Sequence, residues 1–186
     1  MAKMLWKPGN MLYPLPVVMV SCQDGDGKPN ILTIAWTGTI CSDPPMVSIS
    51  VRKERHSYHM IKNSGEFVIN LTTEALVRET DYCGVRSGRS EDKFATTGLT
   101  AIPATKVGAP LIAESPVNLE CRVTEVKELG SHDMFLAEVV AVHADEAYMD
   151  EHGKFDLSKA NPIVYSHGTY FSLGKPLGTF GYSVKK

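Results

Sequence analysis

The sequence predicts a mainly β fold, either a barrel or a sandwich, with a few short helices. About seven segments are rich in β-branched residues or alternate between apolar and polar positions, as strands do. The helical segments between them are short, and they do not alternate with strands in the manner of a parallel α/β sheet. No internal repeat, low-complexity run or linker interrupts the chain, so we expect one domain over residues 1–186.

The first two strands are predicted to form a hairpin. Residues 17–23 are short and β-branched, and residues 30–37 return as a second strand. The segment Asp-Gly-Asp-Gly-Lys-Pro at 24–29 joins them and is dense in turn-forming residues. It lacks the remaining ligand positions of a calcium loop, so we interpret it as a turn.

The middle of the chain combines strands and short helices after a break at residues 43–45, Asp-Pro-Pro. Val47, Ile49 and Val51 point to one face of a strand, and the serines between them point to the other. The predicted elements are a strand at 46–51, a helix at 56–62 that ends at 63–65, a strand at 66–71, and a helix at 73–85 with Thr73 as its N-cap.

Residues 86–116 are predicted to be mainly loop, because glycines and prolines punctuate them. Within this loop, Ser90 followed by Glu91 and Asp92 indicates a capped helical turn.

The last part of the chain is again dominated by strands. Residues 119–124 alternate, and a turn at 130–133 leads into residues 134–143. This second segment is nearly all apolar, which predicts a strand buried on both faces. The last predicted strand covers 162–165, and a tail rich in glycine and aromatic residues follows at 170–182.

Composition excludes several classes of protein. The 19 Lys and Arg against 21 Asp and Glu give a net charge of −2, without the basic surplus of nucleic-acid-binding proteins. An apolar run at 11–20 is too short for a membrane helix, and Pro14 and Pro16 interrupt it. The run resembles a signal peptide, but we interpret it as leading into the first strand and expect a cytoplasmic protein.

Cysteine, histidine and motif patterns point to no familiar catalytic centre. Cys22, Cys41, Cys83 and Cys121 form no CxxC pair, so we expect reduced thiols. The six histidines are dispersed, and we predict no metal site. GxGxxG, P-loop, GxSxG and HExxH motifs are absent. Any chemistry must therefore depend on smaller polar groups.

Three segments carry such groups at strand ends and helix starts, namely residues 30–39, 48–57 and 86–93. Each by itself has an ordinary interpretation as core, solvated face, charged turn or cap. Together they contain the parts of a site for a phosphate and a flat ring. A phosphate monoester binds basic side chains, hydroxyls and the N–H groups of a helix start such as His56-Ser57. Trp36 has the size and shape to form a wall for an aromatic ring.

A set of short motifs runs in order from Tyr13 into the C-terminal strands. They are Tyr13-Pro14-Leu15-Pro16-Val17, Gly27-Lys28-Pro29-Asn30 with Ala35-Trp36, Cys41-Ser42-Asp43-Pro44-Pro45 leading into Val47-Ser48-Ile49-Ser50, Ser64-Gly65-Glu66-Phe67-Val68-Ile69-Asn70, Ser87-Gly88-Arg89 with Asp92-Lys93-Phe94, and Gly98-Leu99-Thr100. Their order and spacing resemble the flavin reductase-like, FMN-binding split-barrel family, and within it the flavoredoxin group.

This resemblance implies a six-stranded Greek-key split β-barrel with added helices, in a homodimer that binds FMN near its interface. Carried over by position, three groups of residues are expected to contact the cofactor. The isoalloxazine ring should be flanked by Asn30, Thr33, Ala35, Trp36 and Thr37. The ring or the ribityl chain should touch Ser48, Ile49 and Ser50. The ribityl chain and phosphate should be held by His56, Ser57, Ser87, Arg89 and Lys93.

The implied function is that of a redox flavoprotein, in one of two versions. Bound FMN passes electrons between protein partners, or the protein is an NAD(P)H:flavin oxidoreductase that supplies reduced flavin. Because the flavin itself carries out hydride and electron transfer, no catalytic residue is assigned. A different class also fits a split barrel, namely a non-catalytic flavin- or haem-binding module that acts as a store or sensor.

Overall fold

The computed structural model describes residues 1–25 and 27–184, in which strands dominate. Asp26, within the predicted turn, and Lys185 and Lys186, at the end of the predicted domain, lie outside the described residues. The strands are β1 (Leu15–Pro16), β2 (Val18–Gln23), β3 (Pro29–Ile34), β4 (Thr37–Ser42), β5 (Pro45–Val51), β6 (Glu66–Leu71), β7 (Ala101–Ile102), β8 (Leu111–Ile112), β9 (Val117–Glu128), β10 (Asp133–Ala144), β11 (Ile163–Ser166) and β12 (Thr169–Ser172). The helices are α1 (His56–Ser64), α2 (Val77–Val85) and α3 (Lys93–Thr97), with 3-10 turns at Glu74–Leu76, Glu146–Tyr148, Leu157–Ala160 and Tyr182–Val184.

Seven strands form one antiparallel sheet in the order β3-β2-β6-β9-β10-β5-β4. β3 and β4 lie at opposite edges of this sheet, although only Ala35 and Trp36 separate them along the chain. Neighbouring strands lie about 4.8 Å apart, so a two-residue link cannot cross such a sheet if it is flat. The sheet must therefore curl into a barrel. At the corner, the carbonyl of Trp36 accepts a hydrogen bond from the backbone N–H of Ser50 (2.9 Å).

Alternating residues fill the barrel interior, as the two-residue period of a strand requires. Val47, Ile49 and Val51 of β5 are at most 6% exposed, whereas Ser48 and Ser50 between them are half-buried. The three apolar residues pack with residues of β2, β3, β6, β10 and α1 in the main apolar cluster. The predicted inward face of this strand is confirmed.

α2 and α3 pack against the outer face of β2 and β3, where Met19 and Cys83 join a second apolar cluster. The hydroxyl of Thr33 on β3 donates a hydrogen bond to the carbonyl of Thr80 on α2 (2.5 Å). Gly84 approaches the same strand so closely that a Cβ there would lie 3.2 Å from Cβ of Thr33. α2 is thus held tightly to the barrel wall.

A separate three-stranded sheet, β1-β11-β12, lies beside the barrel. β11 and β12 are joined by a turn in which His167 (φ 48°) and Gly168 (φ 82°) both have positive φ. Two successive residues with positive φ are typical of a type I′ hairpin turn. No strand was predicted after residue 165, but this turn returns residues 169–172 alongside β11 as a strand.

Two strand predictions are wrong in part. The strand predicted at 30–37 ends at Ile34, because the chain turns at Ala35-Trp36 and begins β4 at Thr37. The main sheet accordingly has seven strands rather than six.

The second error concerns β10, which was predicted to be buried on both faces. Glu138 is exposed, and Val142 is 60% exposed. β5 pairs with β10 only from Asp133 to Glu138. Beyond that point β10 pairs with β9 on one side and, among the described residues, with no strand on the other. An apolar strand segment is therefore left at an open edge.

The predicted cap residues lie close to the observed helix starts, but their side chains do not make the capping hydrogen bonds. Asp92, rather than Ser90, caps α3, and its carboxylate accepts a hydrogen bond from the backbone N–H of Ala95 (3.1 Å). Ser90 instead donates to the carbonyl of Ser87 (3.2 Å). Thr73 occupies the N-cap position of a 3-10 turn, but its side chain makes no capping hydrogen bond.

Within residues 1–25 and 27–184, no helix has the length and hydropathy needed to cross a membrane. The same residues contain no group of three or more His, Cys, Asp or Glu side chains placed to hold a metal ion. All four cysteines are free thiols.

Candidate functional site

A long cleft lies where the β3–β4 corner, the loop after β5, α2 and the β11–β12 hairpin meet. It consists of two cavities that share Leu32, Arg52 and Arg55 as lining residues. The larger, of about 550 Å³, is lined by Trp36 and by aromatic residues of the hairpin, and we call it the aromatic pocket. The smaller, of about 410 Å³, lies over the N-terminus of α1, and we call it the basic pocket.

Trp36 forms one wall of the aromatic pocket and is 41% exposed. Its ring stacks on that of His132, from the turn between β9 and β10, with centroids 5.8 Å apart and planes at 22°. Burial lowers the pKa of His132, and the positive charges of Arg52 and Arg55 lower it further. The imidazole is therefore uncharged at neutral pH. Across the pocket lie Tyr165 and Tyr170.

The basic pocket is built around the start of α1, where no side chain caps the helix. The N–H groups and dipole of a helix N-terminus attract anions. Arg52, Arg55 and Arg86 line the same pocket, with Glu54 as its acidic member. Arg55 is held in place by a hydrogen bond from Nη1 to the carbonyl of Gly84 (3.1 Å). This arrangement suits an anion with more than one negative charge.

Lys93 lies beneath the basic pocket and is only 3% exposed. Its ammonium donates hydrogen bonds to the carbonyls of Ile31 and Cys83, both at 2.7 Å. Burial lowers the pKa of Lys93. The side chain thus ties β3 to the C-terminal turn of α2, and it shapes the pocket from below.

The structure brings nine of the thirteen predicted residues to the cleft. The aromatic pocket is lined by Thr33, Ala35, Trp36 and Ser50. The basic pocket is lined by Asn30, His56, Ser57, Ser87 and Lys93.

The other four predicted residues line neither pocket. Arg89 lines a third cavity, of about 610 Å³, which adjoins the basic pocket. The hydroxyl of Thr37 donates to the carbonyl of Ser48 (2.8 Å), so these two residues stabilise the β4–β5 pairing. The side chain of Ile49 is fully buried inside the barrel. Their expected contacts with a cofactor stay predictions.

Sequence reasoning did not assign several residues that line the cleft. Arg52 and Arg55 belonged to a noted segment but were not among the expected contacts, and His132 was interpreted only as part of a turn. Asp81 and Tyr170 carried no sequence signal, because they reach the aromatic pocket through the packing of α2 and the β11–β12 hairpin.

Comparison with known proteins gives one consistent result. Residues 10–174 match the sequence profile described as the flavin reductase like domain. Flavoredoxin of Desulfovibrio vulgaris (Miyazaki F) is 34% identical with a TM-score of 0.92, and the match covers 99% of this chain and 100% of that one. Flavoredoxin from Methanosarcina acetivorans is 28% identical with a TM-score of 0.89, and the match covers 100% of both chains.

A third structure shares the fold at lower identity. A split-barrel protein from Shewanella frigidimarina NCIMB 400 is 22% identical with a TM-score of 0.81, and the match covers 90% of this chain and 86% of that one. The split-barrel fold expected from the sequence is confirmed by these matches. Taken with the domain profile and the cleft, they show that the chain belongs to the flavin reductase-like family of flavin-binding redox proteins.

Proposed function

We propose that this protein binds FMN along the joined aromatic and basic pockets and passes electrons or hydride through it. The observation that carries the proposal is that Arg52 and Arg55 line both pockets. One continuous cleft therefore offers an aromatic wall at one end and positive charge at the other. When bound, the flavin supplies the redox chemistry, and the protein supplies binding, orientation and electrostatics.

The residues of the basic pocket fit a phosphate monoester. Such a group carries nearly two negative charges and forms its strongest hydrogen bonds with guanidinium and hydroxyl groups. Arg55 and Ser57 provide these groups at the start of α1, and Ser87 provides another hydroxyl from the loop after α2. Because riboflavin lacks the phosphate, we expect it to bind more weakly than FMN.

The residues of the aromatic pocket fit a flat ring. The Trp36 indole provides an apolar wall, and its stack with His132 holds it in position. The backbone hydrogen bond between Trp36 and Ser50 fixes the corner that carries the indole. The uncharged His132 adds no positive charge to this end of the cleft, so the positive charge comes from Arg52 and Arg55, where the two pockets meet.

The open edge of β10 supports the proposal of a homodimer. An exposed apolar strand edge is a surface that a second chain readily covers. Val142 is 60% exposed on β10, and Ile40 is 45% exposed on β4 at the end of the same sheet. A second copy of the chain would bury such residues.

The electron donor is either NAD(P)H or a redox protein, and one experiment separates these versions. The visible spectrum of the FMN-loaded protein is recorded without oxygen, before and after NADH and then NADPH are added. Rapid bleaching identifies a nicotinamide-dependent flavin reductase. A flavin that stays oxidised until dithionite is added argues against a nicotinamide-dependent reductase, and its reduction by a redox protein then identifies a carrier.

The same preparation tests the proposal as a whole. FMN, FAD and riboflavin are titrated into the flavin-free protein, and binding is followed by the change in flavin fluorescence. Tightest binding of FMN supports the proposal. Tight reversible binding with no reduction by nicotinamide or by any redox protein tried favours the alternative of a store or sensor. Failure to bind any of the three flavins contradicts the proposal.

A further inference from the structure

The aromatic pocket is framed by two units that come from different parts of the fold. Tyr165, Gly168 and Tyr170 of the β11–β12 hairpin line one side. Asp81 and Gly84 of α2 line another. The hairpin is not part of the seven-stranded sheet, so the shape of the pocket depends on how the hairpin is attached.

α2 is the fixed side of this frame. The hydrogen bond from Thr33 to the carbonyl of Thr80 joins it to β3 (2.5 Å), and Gly84 lets it lie directly against that strand. Asp81 immediately follows Thr80 on this anchored turn. Its carboxylate therefore has a defined position at the pocket.

The hairpin, in contrast, is attached mainly at its first end, where Pro162 pairs with Thr73 and the carbonyl of Asn161 accepts a hydrogen bond from the backbone N–H of Glu74 (2.9 Å). β11 pairs with β1 over only two residues, Leu15 and Pro16, and its first residue donates a long hydrogen bond to the carbonyl of Thr72 (3.4 Å). The ring of Tyr13 contacts that of His167 at the hairpin turn, with centroids 4.1 Å apart and planes tilted by 41°. The pairing with β1 and the contact with Tyr13 join the hairpin to the N-terminal segment, so the two form one body beside the barrel.

β12 is the outer strand of that body and pairs only with β11 within the described residues. The phenol of Tyr170 donates a hydrogen bond to Oδ1 of Asp81 (3.0 Å). In residues 1–25 and 27–184, this is the one side-chain hydrogen bond between β12 and another element. Burial raises the pKa of Tyr170, and the Asp81 carboxylate raises it further, so the phenol keeps its proton and remains a donor.

We propose that the hydrogen bond between Tyr170 and Asp81 is a latch that holds the hairpin over the aromatic pocket and sets the rate at which bound flavin leaves. This inference rests on the proposed function, because it assigns the ring end of the flavin to that pocket. Tyr170 and Asp81 act as positioning residues, since their effect passes through the hairpin wall. The strength of the latch then decides whether FMN stays as a prosthetic group or exchanges as a substrate.

The direct test is the dissociation rate of FMN and of riboflavin from wild type and from Tyr170→Phe. Release is followed by the recovery of flavin fluorescence after the loaded protein is diluted to a concentration far below the dissociation constant. Loss of a hydrogen bond of this kind predicts that both flavins leave about fivefold faster. The factor is the same for both, because the latch acts at the ring end and not at the phosphate. Tyr148→Phe removes a phenol hydroxyl from a 3-10 turn outside both pockets and leaves the rates unchanged.

Variants of Asp81, the hydrogen-bond partner of Tyr170, distinguish a local effect of this hydrogen bond from a general loss of stability. Asp81→Ala speeds release as much as Tyr170→Phe does, and the double variant is no faster than either single variant. Asp81→Asn keeps a side-chain carbonyl acceptor, so it releases flavin at nearly the wild-type rate. Two results contradict the proposed latch. One is a Tyr170→Phe variant that releases both flavins at the wild-type rate. The other is a double variant in which the increases of the two single variants multiply. A wild-type protein that binds neither flavin overturns the proposed function instead.

Discussion

The side-chain amide of Asn30 donates a hydrogen bond to the hydroxyl of Ser57 across 2.8 Å. Asn30 lies near the start of β3 and Ser57 in the first turn of α1, and both are buried. The backbone of Gly88 rests on the same amide. Asn30, Ser57 and the buried Lys93 thus fix the floor of the basic pocket, and the arginines place further positive charge on its walls.

Gly88→Ala is expected to disturb this floor. A Cβ at position 88 would lie 2.3 Å from Oδ1 of Asn30, so either the loop or the amide must move. Overpacking typically costs about 1–3 kcal/mol, which predicts a rise of about tenfold in the dissociation constant for FMN. The measurement is a fluorescence titration with FMN. Gly174→Ala is the control, because its Cβ meets no atom within 4 Å. Equal affinity in the two variants would contradict this account of the floor.

Arg55→Ala is expected to weaken FMN binding much more than riboflavin binding. A hydrogen bond to a charged group contributes about 1.5–3 kcal/mol, so the loss for FMN is about tenfold or more. Titrations of both flavins measure the difference, and Arg78→Ala on the exposed face of α2 is the control. A loss that is equal for the two flavins rules out a contact with the phosphate. The sequence-based contacts of Arg89 and Lys93 are tested by alanine variants in the same titrations.

Flavin binding is expected to quench the fluorescence of Trp36. The indole lines the aromatic pocket, whereas the second tryptophan, Trp6, is 66% exposed in the N-terminal segment. Tryptophan emission is recorded during FMN addition to wild type, Trp36→Phe and Trp6→Phe. The Trp6→Phe variant should retain most of the quenching, and Trp36→Phe should lose most of it. The reverse result would contradict a flavin ring placed against Trp36.

Glu120 is expected to make the stability of the fold fall in acid. Its fully buried carboxylate accepts backbone hydrogen bonds from the loop at 105–107 and contacts Nε2 of His143 at 2.6 Å. Burial by itself raises the pKa of Glu120, but these hydrogen bonds outweigh it and lower the pKa from 4.5 to about 2. A depressed pKa stabilises the fold above pH 4.5, and this contribution is lost as the pH falls towards about 2.

Urea unfolding at a series of pH values over this range checks the prediction. Glu120→Gln is less stable at neutral pH and has a flatter dependence on pH, because it has no carboxylate to protonate. Glu138→Gln, on the exposed side of β10, keeps the wild-type slope. If Glu120→Gln keeps the wild-type dependence of the unfolding free energy on pH, the Glu120 carboxylate is not the cause of that dependence.

Val142→Lys is expected to prevent dimer formation. The lysine would place a charge on the open edge of β10, where we propose that a second copy of the chain packs. Sedimentation velocity at several concentrations compares the variant with wild type and with Ile102→Lys, whose exposed apolar residue lies on β7. Wild type that is monomeric at every concentration would refute the homodimer. Flavin retained by a verified monomer would refute a site at the dimer interface.

Local sequence patterns were sufficient to predict much of the fold. The alternation along β5 placed Val47, Ile49 and Val51 inside the barrel, because a strand turns every second residue to the same face. The turn at 24–29 was recognisable from its own residues, and β2 and β3 pair on either side of it. The basic and hydroxyl groups of the basic pocket also lie in the three segments whose residue types suit a phosphate.

Burial in an assembled sheet could not be predicted in this way. The apolar run of β10 indicated burial on both faces, yet Val142 is 60% exposed, because β5 pairs with only half of the strand. The length over which a neighbouring strand pairs depends on where that strand's own turns fall, and no local pattern in β10 contains this information.

The sequence by itself thus determined most of the longer strands, the main turns and the residue types on which the proposed phosphate and ring contacts depend, because these follow from residue type and short-range periodicity. The tertiary structure decided which of those residues share one cleft. Ala35 and Trp36 join opposite edges of the sheet and force it to close, which brings Trp36 against His132 and directs Ile49 away into the core. The contact between Tyr170 and Asp81 joins residues 89 positions apart along the chain, so no local sequence pattern contains it.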